Sequence, residues 1–402
     1  MTATASTTER AALGAPPLDT LVARAPERRR APLYHAAALI LTAAARSRYR
    51  VQALGPAAAR LEPSTLLVAN HPQEADPAVA VAALYPRLYR PWRKELLVHF
   101  TLRDDLHARG FLAGYPLRLP LLARRLLFPI GLARVLDGPL PCPALRSAHR
   151  MLVVDLLRAE PDAELDELLP AELVHRLHAR ASELGRPAPR RARDALAGVY
   201  ADLLWWVVRA EDVAGSLAEN LFAERSAAAR ADFRRFVEII RGGGVVLISP
   251  EGRSSPDGSL QPLKAGVGAL VRIARPRVVQ PLGIAYDPLV RGRSRAYVGV
   301  GAAVPPPRRN ADAFVRALLA HTVPLTVGQV VAAALADGEG RTAAERLARE
   351  VDRAAAERRP VPPELHDPAV RALRVAEALA AARARPERLP RLLAAYRSAR
   401  GR

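Results

Sequence analysis

Short apolar runs alternate along most of the chain with apolar residues at helical spacing. The runs predict strands, and the stretches between them predict helices, one of which ends at Arg241 and another of which spans residues 266–274. The strands are predicted at Leu66, near Glu95, at Val245, over 278–286 and over 295–304. Such alternation is typical of an α/β fold with a mixed, mainly parallel sheet flanked by helices.

Breaks in this pattern divide the chain into three regions. Residues 1–50 are rich in Ala, Thr, Pro and Arg at their start, which predicts a disordered N-terminus. The main domain spans residues 51–310, and turn-forming clusters predict a helical insertion in it at about 136–215. Residues 311–402 form a helical C-terminal extension broken by prolines, and we assign no chemistry to it.

Two apolar segments each have two interpretations. Residues 36–45 are too few to cross a bilayer and are followed by arginines, so they form either an interfacial helix or a helix packed on the main domain. The second segment, residues 203–208, contains Trp205 and Trp206. It is either a packed core helix or a contact with the membrane interface or an acyl chain.

The net charge of +20 comes almost wholly from arginine, since Lys94 and Lys264 are the only lysines. A basic protein attracts anionic partners, either lipid headgroups or nucleic acid. No DNA-binding motif stands out, and 5% aromatic residues give little basis for base stacking. We therefore expect an anionic membrane surface as partner and no nucleic acid. The single cysteine, Cys142, agrees with a reducing compartment, so we expect a cytoplasmic protein, peripheral on the inner face of the cell membrane.

The apolar run at Leu66 stops at Asn70-His71-Pro72, and Asp76-Pro77 then opens a helical pattern. On one regular helix, residues five apart cannot face each other, so His71 is predicted to follow the strand and Asp76 to cap the helix. The carboxylate then accepts a hydrogen bond from Nδ1 of His71 and leaves Nε2 to take a proton. The alternative is a plain helix cap next to a loop histidine.

A second histidine, His99, has the same spacing to Asp104. It lacks the preceding asparagine and the prolines that shape the first motif. We therefore interpret His99 as a partly buried structural histidine.

A second candidate site follows the apolar run at Val245. It reads Pro250-Glu251-Gly252-Arg253-Ser254-Ser255, with Lys264 and Gly266 further on. Together with the motif from Asn70 to Asp76, this block resembles the glycerolipid acyltransferase superfamily, which includes lysophosphatidate and glycerol-3-phosphate acyltransferases. The resemblance covers roughly residues 60–305, in pieces.

The resemblance implies a catalytic base, His71, with its carboxylate, Asp76. It also implies that the second block helps to bind a phosphate-bearing acceptor, through Glu251, Gly252, Arg253, Ser255 and Lys264. A third block of the family ends in an arginine, which Arg225 matches, with Arg134 as a rival. The family has Thr-Arg-Ser after Pro-Glu-Gly, whereas this chain has Arg-Ser-Ser, so the arginine is displaced by one position.

The predicted function is transfer of a fatty acyl group from acyl-CoA or acyl carrier protein to a hydroxyl of a lysophosphatidate-like glycerophospholipid acceptor. This reaction belongs to phospholipid or glycolipid synthesis and needs no cofactor or metal besides the acyl donor. The alternative is a non-catalytic basic protein that binds anionic membrane or nucleic acid.

Overall fold

The computed structural model of the protein describes residues 38–39, 41–55, 61–73, 75–88, 98–100, 102–103, 144–145, 148–204, 206–213, 216–252, 254–255 and 257–400. Some predictions concern residues outside these ranges. These are the N-terminus up to residue 37 and the side chains of Lys94, Glu95, Asp104, Arg134, Cys142, Trp205 and Arg253.

The described elements follow the predicted order, with additional strands, among them the first one, that the sequence does not predict. The main domain starts with β1 (Arg50–Leu54), β2 (Thr65–Ala69), α1 (Asp76–Leu88) and β3 (Val98–Phe100). Next come β4 (Leu102–Arg103), β5 (Ala144–Leu145), β6 (Arg150–Leu152), α2 (Val153–Ala159), α3 (Leu165–Leu168), α4 (Ala171–Glu183), α5 (Ala192–Ala195), α6 (Ala201–Leu204) and β7 (Val207–Arg209). The main domain resumes with α7 (Ser216–Arg241), β8 (Val245–Ile248), α8 (Gly266–Ala274), β9 (Val278–Asp287) and β10 (Arg295–Val300). The extension contains α9 (Ala311–Thr322), α10 (Val327–Ala336), α11 (Ala343–Ala356), α12 (Pro368–Ala384) and α13 (Leu389–Ala399).

A six-stranded sheet in the order β1-β10-β9-β2-β8-β3 forms the centre of the main domain. All neighbours in it are parallel except β10 and β9, which are antiparallel. This confirms the predicted α/β fold with a mixed, mainly parallel sheet and helices C-terminal to it. β2 lies between β8 and β9, so the ends of these three parallel strands meet at one edge of the sheet.

Both faces of the sheet are covered, which explains why its strands are continuous apolar runs. Leu67 and Ala69 of β2 pack with α1, whereas Leu66 and Val68 pack on the opposite face. That second face is covered by α7, α8 and α9, through buried residues that include Ile240. Alternate residues of one strand thus reach two different cores.

The insertion has its own hydrophobic core, built from α2 to α6, β7 and the start of α7. It is helical, as predicted, and also contains the antiparallel pair β6 and β7. Trp206 is half-buried and packs against this core, with the guanidinium of Arg176 lying 4.6 Å from its ring centroid. For Trp206, packing within the insertion accounts for the apolar character of the segment.

The C-terminal extension packs against the sheet and then forms a separate core. Helix α9 lies on the sheet, and α10 to α13 pack together, with α10 buried from Val327 to Ala334. Among the described residues, no single helix is long and apolar enough to cross a bilayer. The pair α9 and α10 passes that test only jointly, and its two members are bent by 92°.

Two glycines let the chain after α9 lie directly on the sheet. A Cβ atom built on Gly283 of β9 would lie 2.1 Å from the carbonyl oxygen of Thr322, and one on Gly299 of β10 would lie 2.3 Å from the same oxygen. Such distances exclude any side chain. These glycines therefore fix how closely the extension approaches the strands that carry the candidate site.

Candidate active site

His71 and Asp76 form the buried pair that the sequence predicts. His71 lies two residues after the end of β2, Asp76 is the first residue of α1, and Nδ1 of His71 lies 2.8 Å from Oδ2 of Asp76. Both residues are buried. Because the carboxylate accepts the hydrogen bond, Nδ1 carries the proton and Nε2 is the basic nitrogen of the ring.

Two further donors hold the Asp76 carboxylate. The backbone N–H of Gln73 donates to Oδ2 at 2.8 Å, and the hydroxyl of Tyr286 donates to Oδ1 at 2.5 Å. Burial raises the pKa of Asp76 above its ordinary value, and the hydrogen bonds from His71, Tyr286 and Gln73 oppose that rise. The carboxylate is thus held in one orientation against the imidazole of His71.

Glu251 links the loop after β2, which carries His71, to the loop after β8. It is 1% exposed; Oε1 accepts the backbone N–H of His71 at 2.6 Å, and Oε2 accepts the backbone N–H of Gln261 at 2.7 Å. Burial raises the pKa of Glu251, while these two hydrogen bonds lower it. Both carboxylate oxygens bind main chain, so Glu251 positions the backbone of His71. The contact of Glu251 with an acceptor, which the resemblance implies, stays a prediction.

Ser255 has a similar positioning role. Its backbone N–H donates to the carbonyl oxygen of His71 at 2.7 Å, and its buried hydroxyl donates to Asp257 at 3.0 Å. Its backbone thus holds the main chain of His71, and the expected contact of Ser255 with an acceptor stays a prediction. Glu251 and Ser255 together bind the N–H and the C=O of the same residue.

Gly252 and Lys264 lie side by side at the turn that follows β8. Gly252 has a φ of +69°, and a Cβ atom on it would lie 3.2 Å from Cγ of Lys264. The backbone N–H of Lys264 donates to the carbonyl of Pro250 at 2.8 Å, while its side chain is exposed. This arrangement leaves an accessible ammonium group beside the loop, which suits an anionic substrate.

Arg225 lies on α7, and its Nε donates to the carbonyl oxygen of Arg150 in β6 at 2.6 Å. Burial lowers the pKa of Arg225, and the charge of Asp232 opposes that shift. The contact with Arg150 joins α7 to the insertion. A role for Arg225 in acceptor binding stays a prediction.

His99 lies within β3, opposite Val246 of β8, and is buried. Its place inside a strand agrees with its interpretation as a structural histidine. Among the described residues, no group of three His, Cys, Asp or Glu side chains is arranged to hold a metal ion.

Three residues make contacts at the site that sequence reasoning did not assign. Asn70 donates to the carbonyl of Ile284 at 2.9 Å and accepts its N–H at 2.6 Å, so a side chain continues the pairing of β2 with β9 where β2 ends. Tyr286 was not singled out, although a tyrosine at the end of a predicted parallel strand is a usable signal. Arg391 of α13 donates to the carbonyl oxygens of Pro72 and Ser255, the latter at 3.0 Å, and no local pattern indicates it.

Comparison with known proteins adds nothing to this geometry. The chain matches no protein-family model, no curated protein sequence and no solved structure. Its function is therefore argued from the site itself.

Proposed function

We propose that the protein is an acyltransferase, which moves a fatty acyl group from acyl-CoA or acyl carrier protein to a hydroxyl of a glycerophospholipid-type acceptor. The observation that carries the proposal is the buried His71–Asp76 pair at the end of β2, held by Glu251 to the loop after β8. The same residues carry the resemblance to the glycerolipid acyltransferases, so motif and geometry favour the same reaction.

The chemistry requires only a base and its carboxylate. Nε2 of His71 takes the proton of the acceptor hydroxyl while the hydroxyl oxygen bonds to the carbonyl carbon of the thioester. The tetrahedral adduct collapses, the carbon–sulfur bond breaks, and the leaving thiolate takes the proton from the imidazolium. The products are an ester and a free thiol. Asp76 keeps the imidazole in the correct tautomer and stabilises its charged form between the two steps.

The surroundings of the pair favour a negatively charged acceptor at a membrane. The exposed ammonium of Lys264 lies beside Gly252, close to the loop that Glu251 ties to His71. With a net charge of +20, the protein is attracted to anionic lipid surfaces, where a lysophospholipid acceptor is presented. We propose that it works there from the cytoplasmic side, peripheral on the inner face of the cell membrane.

The mechanism predicts the effect of Asp76→Asn. The amide N–H of the substituted side chain donates to Nδ1, so the ring proton moves to Nε2 and the base is lost. We expect kcat to fall by about 10²- to 10⁴-fold, with His71→Ala falling at least as far. The assay follows the purified full-length protein with acyl-CoA or acyl carrier protein against lysophospholipids, glycerol 3-phosphate and glycolipids.

His99→Ala is the matched control, because it removes an equally buried histidine from the same sheet and is expected to retain transfer activity. Unchanged acyl transfer by a folded His71→Ala variant would contradict the mechanism. If the wild-type protein transfers no acyl group but binds DNA or anionic liposomes in a salt-sensitive manner, the non-catalytic alternative is favoured instead.

A further inference from the structure

A cavity of about 440 Å³ lies between the His71 loop and the C-terminal extension. Asn70 and Pro72, the two neighbours of His71 in the chain, line one side. Helix α13 lines the other side with Arg391, Leu392 and Ala395. The volume is in the range of small-ligand sites. The extension, to which the sequence pattern assigns no chemistry, thus forms a wall beside the loop that carries His71.

Cations dominate the charged groups around this cavity. Arg48, Arg388 and Arg391 line it, against a single carboxylate, that of Glu387, among the described lining residues. Burial raises the pKa of Tyr49, the charges of Arg48 and Arg391 lower it, and the charge of Asp76 raises it. The hydroxyl of Tyr49 donates to Gln73 of the His71 loop at 3.2 Å. Arg48 and Arg391 therefore lie near a tyrosine that contacts this loop.

Hydrogen bonds to main-chain carbonyls hold Arg391 in place, and part of its guanidinium stays available to bind a ligand. Nη2 donates to the carbonyls of Pro72 and Ser255, and among the described residues Nε and Nη1 make no hydrogen bond. Gly258 allows this approach: it has a φ of +83°, and a Cβ atom on it would lie 3.1 Å from Cγ of Arg391. An ordered guanidinium with unused donors is suited to bind phosphate.

The rest of the lining is mixed. Leu260, Ile284 and Val323 supply apolar surface, and polar side chains such as those of Gln73 and Ser398 lie among them. A phosphate group fits the arginines, and a short aliphatic part that carries hydroxyl groups fits this mixed surface. Glycerol 3-phosphate and the headgroup of lysophosphatidate share this chemistry.

We propose that this cavity binds the phosphate monoester of the acceptor and that Arg391 is its main phosphate contact, an inference that rests on the proposed acyltransferase function. The C-terminal extension then belongs to the substrate site. It supplies from α13 a guanidinium in place of the arginine that is displaced by one position after Gly252. A phosphate bound by Arg391 lies next to Pro72, the residue that follows His71 in the chain.

The test is binding in the absence of an acyl donor. Isothermal titration of the full-length protein with glycerol 3-phosphate, lysophosphatidate and inorganic phosphate measures the subsite directly. We expect Arg391→Gln to weaken binding of glycerol 3-phosphate by about 10- to 100-fold, and Arg391→Lys by less, because the charge remains while the planar fork is lost. Tighter binding of lysophosphatidate than of glycerol 3-phosphate would identify a lipid acceptor, and the reverse order a soluble one.

Arg397→Gln is the matched control, since Arg397 is an exposed arginine of the same helix that does not line the cavity. Arg48→Gln is a second variant that leaves the contacts of α13 intact, and it should weaken binding several-fold. Unchanged affinity in folded Arg391→Gln and Arg48→Gln proteins would overturn the proposal, as would a wild-type protein that binds none of the three ligands.

The two proposals fail in distinguishable ways. Phosphate binding that depends on Arg391, without acyl transfer, keeps the subsite and rejects the acyltransferase. Acyl transfer with an acceptor KM that Arg391→Gln does not raise keeps the enzyme and rejects the subsite. A raised KM with nearly unchanged kcat is the result expected when both are correct.

Discussion

At the residue scale, the site depends on how completely Asp76 is bound. Its carboxylate receives hydrogen bonds from a ring nitrogen, a backbone amide and a phenol while being only 2% exposed. A buried carboxylate is costly unless it is paired in this way. The three donors therefore offset part of the cost of burying this carboxylate.

The variant Tyr286→Phe tests how much the phenolic hydrogen bond stabilises the buried carboxylate of Asp76. Loss of the phenolic donor raises the pKa of Asp76 further and makes the His71–Asp76 pair hold its proton more tightly. We expect kcat/KM to fall by about tenfold or more, in line with a hydrogen bond to a charged group. The acidic limb of the pH profile of kcat/KM should move to higher pH.

Tyr297→Phe provides the comparison, because Tyr297 is an equally buried tyrosine on the neighbouring strand β10 that contacts Arg295 instead. Its pH profile should match that of the wild-type protein. An unshifted limb in Tyr286→Phe would mean that the phenol only packs against the pair.

The pairing of His71 with Asp76 could be predicted because it is local: a strand end, a turn and a helix start lie within a few residues. Tyr286 and Arg391 could not, since they reach the motif from 210 and 319 positions away. The motif identifies Glu251, but its contacts with the backbone of His71 and Gln261 could not be predicted, because a motif does not tell whether a carboxylate faces a substrate or the main chain.

At the element scale, the glycines of β9 and β10 set the distance between sheet and extension. In Gly283→Ala, the added methyl group overlaps the carbonyl oxygen of Thr322. Relieving this clash requires a shift of one of the two backbones, which costs free energy. We expect the free energy of unfolding to fall by about 1–3 kcal/mol or more, the usual cost of overpacking. Chemical denaturation monitored by circular dichroism measures it.

Gly266→Ala is its counterpart, because a Cβ at this helix start meets nothing within 4 Å. It should leave stability unchanged or raise it by up to about 1 kcal/mol, since alanine favours helices. If both substitutions change the free energy of unfolding equally, the close approach at Thr322 does not contribute to stability.

Element ends were predictable where the local signal is strong. The helix ends at Arg241 before three glycines, and α8 spans Gly266–Ala274, both as predicted. β10 is shorter than predicted, ending at Val300 rather than at residue 304. The chain leaves the ladder at Gly301, and Val304 returns to form an isolated bridge with Val279. Apolar character alone cannot distinguish a ladder from a single bridge.

At the scale of the whole molecule, the end of β9 joins the site to the extension. Tyr286 binds Asp76, and the next residue, Asp287, is completely buried on the side of the extension. Asp287 accepts the backbone N–H groups of Leu289 and Gly328, the second from the start of α10, and Arg374 of α12 lies 3.7 Å away. Burial raises the pKa of Asp287, and the charge of Arg374 opposes the rise.

Asp287→Ala should loosen the attachment of the extension. It leaves the buried guanidinium of Arg374 without this carboxylate and two backbone N–H groups without an acceptor. We expect a loss of about 3–5 kcal/mol in the free energy of unfolding, together with weaker acceptor binding. Glu183→Ala, which breaks the exposed pair of Arg180 and Glu183, should change stability by less than about 1 kcal/mol.

The arrangement of the extension could not be read from the sequence. Its helices were predicted from their apolar pattern and its breaks from prolines. Their attachment to β9 and to the His71 loop depends on buried polar contacts between distant residues, which leave no periodic signal. An apparently plain helical tail therefore carries one side of the proposed substrate cavity.

The contacts of Arg391 and Glu251 also impose an order in time. β2 is synthesised early, but it lies between β8 and β9, and the His71 loop is fastened by residues 180 and 319 positions downstream. A chain emerging from the ribosome folds its N-terminal parts first. The contacts that Glu251 and Arg391 make with the His71 loop therefore form only after these later segments have been synthesised.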